Sequence, residues 1–136
     1  MAKKSPKSKN GAPLRVGLSA NVYHPDPSRM AFKGRRLFFL EESMAHWVMA
    51  SGALAYLLPN PPAANAKAKG GASVEDLVES IDALIITGGV DMAPESYGEK
   101  PLRPEWSGDK WRDAYEIALI KAALKFDKPE IGRAHV

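Results

Sequence analysis

Residues 82–89 read DALIITGG. Ala83, Leu84, Ile85 and Ile86 form a continuous apolar run that ends in Thr87-Gly88-Gly89, the pattern of a strand buried on both faces. Such strands belong to parallel sheets, whose long crossovers cover the sheet with helices. The flanking sequence supplies those crossovers. Upstream, LRVGLSA (residues 14–20) is a short apolar run entering a polar loop, which suits a first, central strand. LFFLEESMAHWVMA (residues 37–50) places Leu37, Leu40, Met44, Trp47 and Val48 at helical spacing, and Ser51-Gly52 supplies a stop. ALAYLLP (residues 53–59) reads as a second strand closed by Pro59, followed by a surface connection over residues 60–72. Ser73 and Asp76 form a capping-box pattern at the head of a short helix, VEDLVESI. After the apolar run comes a long loop, residues 90–108. Ser107 or Asp109 then caps a helix whose stripe is Trp111, Tyr115, Ala118, Leu119 and Ala122, with Lys121 and Lys125 near its C-terminal end. Pro129 should open a fourth strand. The expected fold is α/β, a parallel sheet with helices on both faces.

The chain has 136 residues, 45% of them hydrophobic, enough for one domain with a core. Four of its 19 basic residues, Lys3, Lys4, Lys7 and Lys9, lie in a start without acids, and without them 15 basic residues face 16 acidic ones. Residues 1–12 therefore read as a disordered basic tail on a nearly neutral body, and no nucleic-acid partner is expected. No apolar run is long enough to span a membrane or to serve as a secretory signal, so the expected location is cytoplasmic, with no membrane partner. There is no cysteine, which excludes disulfides and thiol catalysis within these residues. Phosphate-binding glycine motifs are also absent.

Parallel sheets bind ligands at the carboxyl ends of their strands. The loops after the first and third strands are therefore the functional edge. In the first, Lys33, Arg35 and Arg36 either attract a substrate carboxylate or form a solvated basic loop. In the second, Gly88 and Gly89 alone fit a tight turn, and Asp91 either binds a substrate amine or holds the loop as an Asx-turn. Tyr97, Gly98 and Glu99 read as loop architecture at the rim. Asp109, Arg112, Asp113 and Glu116 lie on adjacent helical turns and read as a surface ion-pair network in which Arg112 pairs with Asp109 and Glu116. His24 and Asp26 are half of a metal site at most, with no further ligand at suitable spacing, so no metal is expected. His46 reads as a helix-surface or packing residue.

The stretch from Asp82 to Pro129 resembles the class I glutamine amidotransferase-like superfamily, specifically its γ-glutamyl-γ-aminobutyrate hydrolase branch. The resemblance rests on Gly88, Gly89, Asp91, Pro94, Tyr97, Gly98, Glu99, Asp109, Arg112, Asp113 and Glu116, in order and spacing. It extends more loosely back to Leu14, so residues 13–129 correspond to the N-terminal half of such a domain, with a flavodoxin-like sheet. The family implies a cysteine nucleophile on a strand-to-helix elbow, a histidine that shuttles the proton and a glutamate that orients it. It also implies that Gly88 and Gly89 form the oxyanion hole, since side-chain-free backbone N–H groups approach the reacting centre closely. The implied partner is a small γ-glutamyl substrate, with no cofactor. Homo-oligomerisation is left open.

In the family the Pro129 strand continues into Gly-Ile-Cys-Arg-Gly, whereas here Gly132 matches the glycine, Arg133 falls on a strand position and Ala134 on the cysteine. Glu130 and Arg133 would also be unpartnered charges in a central strand. Residues 130–136 are what GAGATCGGAAGAGCACACGTC encodes, a string containing the start of a common short-read sequencing adapter, so they are expected to be non-native. His135 then carries no catalytic role. The expectation is an inactive and poorly stable part of a hydrolase, without nucleophile, histidine or glutamate. The alternative is a non-catalytic α/β module that binds a small anion.

Overall fold

The computed structural model describes residues 7–62 and 71–132. Along the chain the elements are β1 (Arg15–Ser19), β2 (Asn21–Tyr23), β3 (Leu37–Phe39), α1 (Glu42–Ala50), β4 (Leu54–Leu58), α2 (Val74–Glu79), β5 (Ala83–Ile86), α3 (Lys110–Lys125) and β6 (Glu130–Gly132). β4, β1, β5 and β6 form a parallel sheet in that spatial order. In order of appearance its strands run 2-1-3-4, the flavodoxin-like arrangement, and the order reverses between β1 and β5. β1 and β5 are thus neighbours, and their carboxyl ends flank the switch point.

The alternation of side chains along the strands divides the core in two. Leu58, Ile81 and Leu84 pack with Val78 of α2 and with Tyr115, Leu119, Ala122 and Ala123 of α3. On the opposite face, Leu18 and Ile85 pack with Val48 of α1 and with Ala53. Burying each large aliphatic side chain contributes about 1.5–3 kcal/mol. A Cβ on Gly17 of β1 would lie 2.7 Å from both Ile81 Cδ1 and Leu58 Cδ1, so a larger residue there requires those side chains to shift. The capping box at α2 forms as expected: Asp76 N donates to Ser73 Oγ (3.1 Å) and Ser73 N to Asp76 Oδ2 (2.7 Å).

Several expectations are corrected. Residues 37–50 are not one helix, because Leu37, Phe38 and Phe39 pair antiparallel with Tyr23, Val22 and Asn21 before α1 begins at Glu42. Two adjacent aromatics favour an extended pairing, and Phe39 stacks on Tyr23 at 4.4 Å. Trp47 is exposed rather than in the buried stripe. It lines an apolar groove of about 350 Å³ with Val16, Val48, Ile85 and Ile131. The tail reading also stops short: from Lys7 the chain forms a turn, bridging Lys7 to Pro13, with Ser8 N donating to Ala12 O at 2.8 Å. Glu130 is exposed on β6, the outermost strand of the described sheet, so its charge stays in water. Arg133, Ala134 and His135 lie outside the described residues, as do Lys3, Lys4 and part of the 60–72 connection.

Candidate functional site

At the carboxyl edge the two central strands end in polar residues, Ser19 and Thr87, both buried. Thr87 N donates to Ser19 Oγ at 3.0 Å, and Thr87 Oγ1 donates to Ser19 O at 3.0 Å. With its lone pair engaged, Ser19 Oγ directs its proton to Glu116 Oε1 on α3, 3.0 Å away. The same carboxylate oxygen accepts from Arg112 Nη2 at 2.7 Å, and Nη2 also donates to Gly88 O. A continuous hydrogen-bonded path therefore links β1, β5 and α3 to the first glycine of the loop.

Gly88 has φ of 75° and Gly89 φ of 142°, both in the region that favours glycine. A Cβ on Gly89 would overlap the Arg112 guanidinium and come 2.6 Å from Asn21 Oδ1. Close backbone approach to a buried side chain is thus a second reason for glycine. Gly89 itself is exposed.

The reading of Asp109, Arg112, Asp113 and Glu116 as a surface network is corrected. Arg112 and Asp113 are only 4% and 5% exposed. Arg112 pairs with Glu116, but the Asp109 side chain serves elsewhere. Asp109 Oδ1 caps α3 by accepting from Trp111 N and Arg112 N, both at 3.1 Å, while Oδ2 contacts His24 Nε2 at 2.6 Å. Burial pushes the Asp109 carboxyl up, yet the hydrogen bonds from His24 and from the helix N–H groups outweigh it and hold it below its ordinary pKa. Asp113 Oδ2 accepts from Ala93 N at 2.8 Å and Ser96 Oγ at 2.7 Å, anchoring the loop after Gly89 to the helix. The spacing of these residues made them look like i, i+4 surface pairs. Only the packing of α3 under the loop turns two of them inward.

The basic loop is also partly engaged. Arg36 lies 4.3 Å over the Trp111 ring, which stacks with Phe38 at 6.0 Å, so this arginine fastens the β2–β3 hairpin to the head of α3. Arg35 contributes its carbonyl to Arg29. Asp26 accepts from Ser28 N at 2.8 Å, closing a local turn, and His24 is tied to Asp109, so the pair does not converge as a metal site. Asp91 is exposed, and no hydrogen bond holds its carboxylate among the described residues, contrary to the Asx-turn expectation. It lines a recess with Met92, Tyr97, Glu99 and Trp106. His46 is on the surface of α1, 3.6 Å from Glu42.

Sequence reasoning passed over Ser19, Thr87 and Tyr115. The signal was present for the first two, as each is the polar residue closing an apolar strand. Tyr115 OH donates to Leu58 O and accepts from Ala20 N at 3.3 Å, bracing the ends of β4 and β1. Burial raises its pKa to about 12. A raised folded-state value stabilises the fold below the unfolded pKa of about 10 and is lost as pH rises through the folded value. Unfolding measured against pH should therefore show about 3 kcal/mol of stability disappearing between about pH 10 and 12, and Tyr115→Phe should remove that loss.

A family model described as peptidase C26 matches residues 15–133. The YvdE homolog of Lactococcus lactis subsp. cremoris, described as glutamine amidotransferase-like, is 40% identical over 60 residues, 44% of this chain and 32% of that protein. Rv2859c of Mycobacterium tuberculosis, whose name also points to the glutamine amidotransferases, is 35% identical over 85 residues, 62% of this chain and 26% of that protein. Protein NtpR of Enterococcus hirae is 31% identical over 100 residues, 72% of this chain and 38% of that protein. The matches thus span roughly a quarter to two fifths of those relatives' lengths.

Proposed function

This chain belongs to the peptidase C26 family, and from that premise we propose that it supplies the oxyanion-binding part of a cysteine-dependent hydrolase of γ-glutamyl amides. The observation that carries the reading is the Gly88-Gly89 turn at the β1/β5 switch point, braced from beneath by Arg112, Glu116, Ser19 and Thr87. Pro129 O accepts from Leu84 N at 2.9 Å, so a strand opened by Pro129 runs beside β5 toward that turn. A nucleophile elbow following β6 would therefore stand beside the glycine N–H groups.

These residues contain no cysteine, so in this reading the thiol, its histidine and the glutamate come from further sequence of the complete protein, and the chain as written is inactive. The thiolate attacks the γ-carbonyl carbon, and the C=O electron pair becomes an oxyanion facing the glycine loop. Collapse breaks the C–N bond as the histidine protonates the departing amine. Water then hydrolyses the thioester, releasing glutamate and restoring the thiol. The glycine loop lowers the barrier by donating where the negative charge develops.

Recovering the downstream DNA and assaying the complete protein on γ-glutamyl amides tests this. A Gly-x-Cys-x-Gly elbow with amide-hydrolysing activity is expected. A stop codon, or an elbow without a nucleophile, would sink the proposal in favour of an anion-binding module. In the active protein, Gly89→Ala should lower kcat by roughly 10²–10³-fold through displacement of the loop, with a smaller change in KM.

A further inference from the structure

The geometry points to Arg112 as the positioning residue of this loop: by holding the Gly88 carbonyl, its buried guanidinium turns the Gly89 N–H outward as the oxyanion donor. The inference rests on the proposed hydrolase reading. It assigns the donor to one peptide group and the control of its direction to one side chain.

The argument begins with peptide geometry. In a trans peptide the C=O and the following N–H point in opposite directions within one plane. No cis bond occurs here, so drawing the Gly88 oxygen down onto Arg112 Nη2 forces the Gly89 N–H to the other side of the strand end. Gly89 is exposed, and its N–H finds no acceptor among the described residues. Two successive glycines offer little resistance to a flip of the peptide between them. Something must therefore select the orientation.

Arg112 is suited to selecting it. It is 4% exposed and is fixed by Glu116, whose carboxylate is itself held by Ser19 of β1. Its other terminal nitrogen occupies the space that a Cβ on Gly89 would need, so the guanidinium supports both glycines. Glu116 offsets the guanidinium charge at 2.7 Å, which leaves direction rather than net field as the main contribution. Arg112 Nε remains buried without a hydrogen-bond partner. The side chain is thus held through Nη2, with its Nε–H left unpaired in the interior.

The test uses the complete hydrolase and two readouts. Arg112→Met, of similar reach but with no donor, should lower kcat by about 30–100-fold with KM within about threefold, since a donor used only in the transition state affects kcat. Affinity for a γ-glutamyl aldehyde, which forms a tetrahedral adduct with the thiol, should fall in parallel, while affinity for product glutamate should not. Arg112→Lys should fall in between, because one ammonium does not reproduce the guanidinium fork. Guanidinium ion at millimolar concentration should restore part of the rate of Arg112→Ala.

A wild-type protein without γ-glutamyl amidase activity would refute the hydrolase reading itself. An active wild type whose Arg112→Met variant keeps kcat and aldehyde affinity within threefold would overturn the positioning role alone. Should the methionine variant fail to fold, a folded Arg112→Lys with undiminished kcat and aldehyde affinity overturns it equally.

Discussion

Asp113→Ala is expected to destabilise the fold by about 3 kcal/mol, because it removes a buried carboxylate that accepts two hydrogen bonds and leaves a buried amide unpaired. Ala93, whose N–H would be orphaned, is 0% exposed, and Asp113 is 5% exposed. Ser96 Oγ would lose its 2.7 Å acceptor as well, releasing the 3-10 turn Pro94–Tyr97 from α3. Asp113→Asn keeps an oxygen acceptor and should lose about half as much. Urea denaturation of the two variants against the parent measures both. Equal stability for the alanine variant and the parent would show that the loop is not anchored through this carboxylate.

Gly108→Ala is expected to destabilise by about 2–4 kcal/mol, combining left-handed strain with overpacking against backbone. Gly108 has φ of +63°, and a Cβ there would overlap Ala93 N, lie 2.5 Å from Ala93 Cα and lie 2.6 Å from Asp91 O. A flexible side chain would rotate out of the way at little cost, but these obstacles are main chain. The loop that carries Asp91 would have to lift from the head of α3. Because Gly108 and Asp113 act on the same Ala93 peptide, the double variant should lose less than the sum of the single losses. A thermodynamic cycle over the four proteins measures that coupling, and strict additivity would place the two effects at independent points.

The two substitutions also show where local patterns cease to inform. Asp113 follows Arg112 in a run of charged helix residues, and spacing alone makes such residues surface partners. Gly108 lies in a Pro- and Gly-rich loop, where a glycine needs no special explanation. Their importance comes from contacts with Ala93, 20 residues away from Asp113 in sequence. The apolar triplet at Leu37–Phe39 is a comparable case. Helical spacing reached back across it because periodicity carries no information about a partner strand, and that partner lies in residues 21–23.

By itself the sequence determined the parallel α/β class, the central place of β1, a third strand buried on both faces, the α2 capping box and the glycine pair at the strand end. Each depends on periodicity, capping or backbone freedom, which act over a few residues. Tertiary structure alone decided that Arg112 and Asp113 point inward, that Arg36 rests on Trp111, and that Ser19, Thr87 and Glu116 brace the Gly88-Gly89 turn. Those roles depend on how α3 lies beneath the carboxyl edge of the sheet, and no local pattern encodes that distance. The glycines are recognisable as a turn from sequence, but the direction of their N–H groups is set by a side chain more than twenty positions downstream.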